Sequence, residues 1–208
     1  ILNQHMKFFL DTANLAQIKE ANEQGILDGG TTNPSLMAKE GVKGQAAVMN
    51  HYKTICEMVN GDISAEVIST DFNGIIEEGK KLAAIHKNIV VKVPMIKDGV
   101  KAMKWFTDHG IRTNCTLVFS AGQAILCAKA GAAYVSPFIG RIDDSGWDGV
   151  LLVEQIVKIY KAQGFKTQIL AASIRNPNHI IRCAEAGAHV CTSPLESILG
   201  LLKHPLTD

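Results

Sequence analysis

The 208-residue chain lacks most of the features that commit a sequence early to a class. Its five cysteines, Cys56, Cys115, Cys127, Cys183 and Cys191, are odd in number, scattered and never spaced C-x-x-C. That argues against a disulfide framework or a zinc site and predicts a reducing, cytoplasmic setting. No apolar run approaches the roughly 18 residues of a membrane span, and the opening ILNQHM has neither the basic nor the apolar region of a signal peptide. Residues 1–5 read as a leftover ahead of a start at Met6. Charge of one sign is missing too. The 21 basic and 20 acidic residues leave +1, with no stripe or tail to serve nucleic acid or a membrane surface. A small-molecule ligand fits that balance better. The glycine-rich dinucleotide fingerprint is also absent. One near match to a phosphate loop, GIIEEGKK at 74–81, ends in Lys81 where Ser or Thr belongs and lies in a helical pattern. Gly74 and Gly79 therefore read as helix-start and surface features.

What the chain does have is alternation. Short β-rich runs follow longer helical patterns, and many of the helical patterns stop at a glycine, as in ANEQG, TDHG, AKAG, KAQG and AEAG. Two stretches, 128–138 and 184–194, share A-x-A-G-A followed by a strand and a proline, a weak internal echo of one repeated unit. The strands are KFFLDT, GGTTN, ISAEVI, IVVKVP, RTNCTLVF, YVSPFIG, TQILAAS and HVCTS, eight in all. Eight strands separated by helices imply parallel pairing, which closes most naturally into a compact (β/α)8 TIM barrel. The length, near the lower limit of roughly 200 residues for that fold, predicts one domain over 6–208 with short loops. An open doubly wound sheet is the alternative, disfavoured by the missing fingerprint.

In such a barrel the chemistry sits where the carboxyl ends of the strands meet. The polar residues at or near those ends are Asp11, Asn33, Glu66, Lys92, Asn114, Thr116, Ser136, Ser173 and Arg175. Period-two alternation sets Lys92 opposite Val91 and Val93, Glu66 opposite Ala65 and Val67, and Asn114 and Thr116 opposite Cys115. Each has an ordinary reading. A strand-borne Lys or Glu is often half of an interior ion pair, Asn33 in TTNPS and Asp11 suit a helix cap, and Arg141 in GRIDD suits a partnership with Asp143 or Asp144. That acidic pair reads as loop and cap chemistry rather than as a metal site. Against the ordinary readings stands their coincidence, because a purely structural barrel interior is filled by branched apolar side chains. Lys92 indicates the chemistry. An amine buried among valines is pushed toward its neutral, nucleophilic form and can condense with a ketone, while Glu66 and Asp11 move protons. Ser173 and Arg175 follow the seventh strand, where barrels frequently bind phosphate, and the guanidinium forks of Arg175 and Arg141 suit that anion.

From Met6 to its end the chain resembles the small transaldolases and the related fructose-6-phosphate aldolases. The resemblance is carried by FLDTAN, TTNPSL, SAEV, VVKVP, TLVFS, YVSPFIGRIDD and LAASIR, in that order. It implies a Schiff base on Lys92, without metal or cofactor. Asp11 is then the acid/base for carbon–carbon cleavage, and Glu66 with Thr116 holds the catalytic water. Asn33, Asn114 and Ser136 orient substrate hydroxyls or the iminium, and Arg141, Ser173 and Arg175 bind the phosphate of a sugar-phosphate substrate. In this family a glutamate at position 66 with a phenylalanine at Phe138 accompanies transaldolases, and glutamine with tyrosine accompanies the aldolases. Taken alone, Phe138 is a core aromatic. Relatives usually continue past KHPLTD with a helix that packs on a neighbouring subunit, which implies a homo-oligomer, a pentamer or a decamer of two pentamers.

Overall fold

The computed structural model describes residues 5–207; residues 1–4, most of the stretch read as a leftover, and Asp208 lie outside the described residues. Eight parallel strands close into a barrel in chain order. They are β1 (Lys7–Asp11), β2 (Gly29–Thr31), β3 (Asp62–Glu66), β4 (Ile89–Pro94), β5 (Thr113–Val118), β6 (Tyr134–Pro137), β7 (Gln168–Ala171) and β8 (Val190–Ser193). The helices around them are α1 (Leu15–Glu23), α2 (Pro34–Lys39), α3 (Gln45–Met58), α4 (Phe72–Ala83), α5 (Lys97–Asp108), α6 (Ala121–Lys129), α7 (Ile139–Asp144), α8 (Gly149–Gln163), α9 (Pro177–Ala186) and α10 (Leu195–Leu199). The result is a single (β/α)8 barrel, and among the described residues no helix is long and apolar enough to cross a membrane.

Local chemistry sets the element ends. Asn14, Asn33, Asp71, Ser120, Asp148 and Asn176 each stand just before a helix and accept a backbone N–H from its first turn, satisfying donors that the helix cannot. At the other ends Gly25, Gly110, Gly131, Gly164 and Gly187 carry φ between +66° and +90°, the left-handed turn that only glycine adopts without strain.

Two expectations need correction. The run YVSPFIG is not all strand: β6 ends at Pro137, and Ile139 already opens α7. The N–H groups of Ile139 and Gly140 bond to the carbonyls of Ala172 and Ser173 at the end of β7, which turns the chain out of the sheet. A short apolar run has no periodicity to announce that turn. Gly79 is buried in α4, not at the surface, and a Cβ there would press into the Phe106 ring on α5. Gly74 is the helix-start feature expected, its N–H donating to Asp71 Oδ1 at 3.0 Å.

The sheet separates two apolar regions. Val91, Val93, Ala65, Val67 and Cys115 face outward and join the main core beneath the helices. Phe9, Val90, Tyr134, Leu170 and Val190 form a separate cluster inside the barrel. Phe9, Val90, Tyr134 and Val190 each lie two residues before a polar strand-end position, one layer deeper, while Leu170 precedes Ala172, so the interior is apolar below and mostly polar above rather than polar throughout. The Tyr134 hydroxyl donates to Asp62 Oδ2 at 2.7 Å, and Arg112 pairs with the same oxygen at 2.6 Å, closing the amino end. Gly29 leaves room for the Phe9 ring that fills this floor.

Candidate active site

Above that floor, at the carboxyl ends of the strands, opens a cavity of about 440 Å³. Ten of the eleven residues selected from the sequence line it: Asp11, Asn33, Lys92, Asn114, Thr116, Ser136, Phe138, Arg141, Ser173 and Arg175. The eleventh, Glu66, lines a neighbouring cavity instead and meets this one only through its contact with Lys92. Register explains why: Glu66 on β3 pairs with Lys92 on β4, which pairs with Asn114 on β5.

Lys92 is 6% exposed, and its Nζ lies 3.0 Å from Glu66 Oε2. This alters the sequence-based picture of an amine isolated among valines. Val91 and Val93 point away to the helices, and the amine sits in a polar layer beside a carboxylate. Behind Glu66, among α2, α3 and α4, lies a second cavity of about 470 Å³, lined mostly by apolar side chains and by Tyr52. Burial pushes the Tyr52 phenol up to about 12, so it stays a neutral hydroxyl.

Asp11 is held on one side only. Thr31 Oγ1 donates to Asp11 Oδ1 at 2.7 Å and lies 2.6 Å from Thr192 Oγ1, so the proton order runs from Thr192 to Thr31 to the carboxylate. Oδ2 has no protein donor among the described residues. Asn114 is fully buried, with Nδ2 donating to Ser64 Oγ at 3.0 Å and Oδ1 accepting from Ser136 Oγ at 2.7 Å, which fixes the orientation of its amide. Asn33 combines its two readings: Oδ1 caps α2 through Leu36 N–H at 2.9 Å, while the residue also lines the cavity. Thr116 sits at an irregularity in β5 where the register with β6 shifts and Leu117 takes φ +61°. A left-handed leucine costs about 1–3 kcal/mol, and the bulge it forms ends the regular strand beside the cavity.

On the opposite rim, the Arg141 guanidinium lies 5.1 Å from the Phe138 ring centroid, and Phe138 packs on Phe119 at 5.7 Å. Arg141 has no carboxylate partner among the described residues. The ordinary reading of Arg141, a partnership with the acidic pair, does not hold. Asp144 takes Arg175 at 2.8 Å, and Asp143 takes His179 at 2.7 Å. Gly140 makes this possible, because a Cβ there would collide with the Ser173 carbonyl and the Arg175 side chain that crosses to α7. Ser173 itself has φ +57°.

The sequence reading missed Thr31, Thr192, Lys39 and Ser64. The first two stand two residues beyond the interior residues Gly29 and Val190, and Ser64 lies between Asp62 and Glu66, so strand alternation could have found all three. Lys39, at the end of α2, carried no signal beyond that of an ordinary exposed helix residue.

A closed parallel barrel whose strand ends gather a buried lysine–glutamate pair, a second carboxylate and a rim of arginines belongs to the enzymes of the (β/α)8 class. The chain is a member of the transaldolase/fructose-6-phosphate aldolase family, whose profile matches residues 8–208. It is 66% identical to a probable transaldolase of Cytophaga hutchinsonii over 203 residues, 98% of this chain and 93% of that protein. Probable transaldolases of Parabacteroides distasonis and Porphyromonas gingivalis are 66% and 64% identical over the same length, covering 98% of this chain and 93% and 92% of theirs.

Proposed function

We propose that the chain is a transaldolase that moves a dihydroxyacetone unit from sedoheptulose 7-phosphate to glyceraldehyde 3-phosphate through a Schiff base on Lys92. The observation that carries the proposal is the buried Lys92 Nζ, 3.0 Å from Glu66 and open to the cavity. Glu66 takes a proton from the ammonium, and the neutral amine attacks the ketose carbonyl at C2. Glu66 then protonates the carbinolamine hydroxyl, which leaves as the water that Thr116 helps to hold, giving the iminium. Asp11, through its unpartnered Oδ2, removes the C4 hydroxyl proton. The C3–C4 bond breaks, its electron pair moves to the iminium as an enamine, and erythrose 4-phosphate departs.

Glyceraldehyde 3-phosphate enters in its place. The enamine carbon attacks its aldehyde, Asp11 returns the proton to the new hydroxyl, and water adds to the iminium to release fructose 6-phosphate and Lys92. Asn33, Asn114 and Ser136 orient hydroxyls and the iminium, while Arg141, Ser173 and Arg175 hold the phosphate. The pair Glu66 and Phe138 supports transfer over release, since a phenyl ring beside the enamine offers no proton to free dihydroxyacetone. By the same family membership we place the protein in the cytoplasm as a ring-shaped homo-oligomer of five or ten subunits, a size that sedimentation velocity reads directly.

Borohydride added during turnover is expected to add the mass of the reduced dihydroxyacetone fragment at Lys92 and to inactivate the enzyme. A Lys92→Ala protein that stays active ends the proposal. Free dihydroxyacetone released from fructose 6-phosphate without an acceptor would instead make the chain an aldolase. Sugar-phosphate binding with no adduct at any pH would leave Lys92 a charged partner of Glu66 in a barrel without turnover.

A further inference from the structure

Behind the Ser173–Arg175 turn lies a buried imidazole that this chemistry does not use. His179, in the first turn of α9, is 6% exposed. Its Nδ1 accepts the Arg175 backbone N–H at 3.2 Å, and its Nε2 lies 2.7 Å from Asp143 Oδ2 on α7. Because Nδ1 accepts, the proton resides on Nε2 and is donated to the carboxylate, so the contacts select one tautomer. The other oxygen of Asp143 accepts Gly149 N–H at 2.8 Å, where α8 begins, and His179's own N–H is capped by Asn176 Oδ1 at 3.1 Å. The turn it supports is otherwise unfavourable, with Ser173 at φ +57°, and is held on its far side by Gly140 N–H bonded to the Ser173 carbonyl at 2.8 Å. Arg175 is thus gripped twice, its backbone by the imidazole and its guanidinium by Asp144.

We infer that His179, oriented by Asp143, is a positioning residue for recognition of the substrate's phosphate: it fixes the peptide that presents Ser173 and Arg175 to the cavity. The inference rests on the reading of those residues with Arg141 as the phosphate group. A buried histidine serving only as packing would support the barrel without regard to which substrate is bound, and that difference is measurable. His179→Leu keeps the bulk and removes the acceptor; His179→Asn can restore an acceptor near the Nδ1 position.

With His179→Leu, the KM for fructose 6-phosphate as donor and the inhibition constant of inorganic phosphate should both rise about tenfold, the worth of roughly one hydrogen bond. The kcat should stay within about threefold, and the rate of borohydride trapping with dihydroxyacetone, which has no phosphate, should be unchanged. His179→Asn should recover most of the phosphate affinity. Should His179→Leu fail to fold, Asp143→Asn, at a half-exposed site, tests the same contact by no longer selecting the Nε2–H tautomer, and a smaller rise in the same two constants is expected. Equal losses with phosphate and with dihydroxyacetone, or no change in either, overturn the inference. Arg175→Ala separates the two levels. If it weakens phosphate selectively and the His179 variants do not, the positioning role alone falls; if it leaves phosphate binding intact, the phosphate reading falls and takes the inference with it.

Discussion

Asp11 ends β1 with one carboxylate oxygen taken by Thr31 and the other without a donor among the described residues, which suits a base that must be oriented yet able to accept a proton. Asp11→Asn keeps the shape and the Thr31 contact but cannot take the C4 proton. Its kcat should fall by about 10²- to 10⁴-fold, while borohydride should still trap dihydroxyacetone on Lys92, because in the proposed mechanism iminium formation does not pass through Asp11; loss of both signals together would remove Asp11 from the cleavage step. Phe138 sits between Phe119 and the Arg141 guanidinium on the cavity rim. Phe138→Tyr adds a hydroxyl at that rim and is expected to raise release of free dihydroxyacetone from fructose 6-phosphate, measured without an acceptor, at the expense of transfer. At this scale the sequence was most informative where a polar residue interrupts an apolar strand, as Lys92 and Glu66 do. It was silent on Lys39, whose approach to the cavity depends on the direction α2 takes after Asn33, and on the exchange of partners between Arg141 and Arg175, which depends on the missing Cβ of Gly140.

Among the elements, the α4–α5 pair shows how a packing demand can override propensity. Alanine in place of Gly79 would gain about 1 kcal/mol of helix propensity. The added Cβ, however, meets the buried Phe106 ring, and overpacking of this kind costs about 1–3 kcal/mol. Gly79→Ala is therefore expected to lower the urea midpoint without changing the slope, and a stabilised protein would show that α5 can move aside. The eight strands and most helix ends were legible because each rests on local chemistry: alternation, a capping Asn, Asp or Ser, a closing glycine. The start of α7 was not, because the bonds that end β6 come from Ala172 and Ser173, more than thirty positions away in the chain. The bulge at Leu117 was hidden for a similar reason, since a leucine gives no warning of φ +61°.

For the molecule as a whole, all five cysteines are free and buried. Burial pushes the thiol of Cys56 up to about 11 and that of Cys183 up to about 12, from an ordinary 9.0, and raises Cys127 and Cys191 as well. The folded chain then keeps protons that the unfolded chain releases above pH 9, so the stability these thiols contribute is complete below pH 9 and is lost as the pH climbs toward 11 and 12. The unfolding free energy from urea titrations should fall steadily above about pH 9, by at most about 1.4 kcal/mol per thiol for each pH unit. Cys183→Ala should flatten that decline by one thiol's share; a midpoint indifferent to alkali, or a variant with an unchanged slope, would contradict it.

By itself the sequence determined the alternation of strands and helices, the face of each strand that carries polar groups, and most of the polar residues that gather around one cavity, because these follow from patterns within a few residues of the chain. Only closure of the barrel decided who meets whom: Thr192 at the end of the chain supports Thr31 near its start across 161 positions, and Glu66 stands beside Lys92 through the pairing of β3 with β4. Hydrogen-bond partners at such separations are chosen by the register and curvature of a closed sheet, which no local pattern encodes.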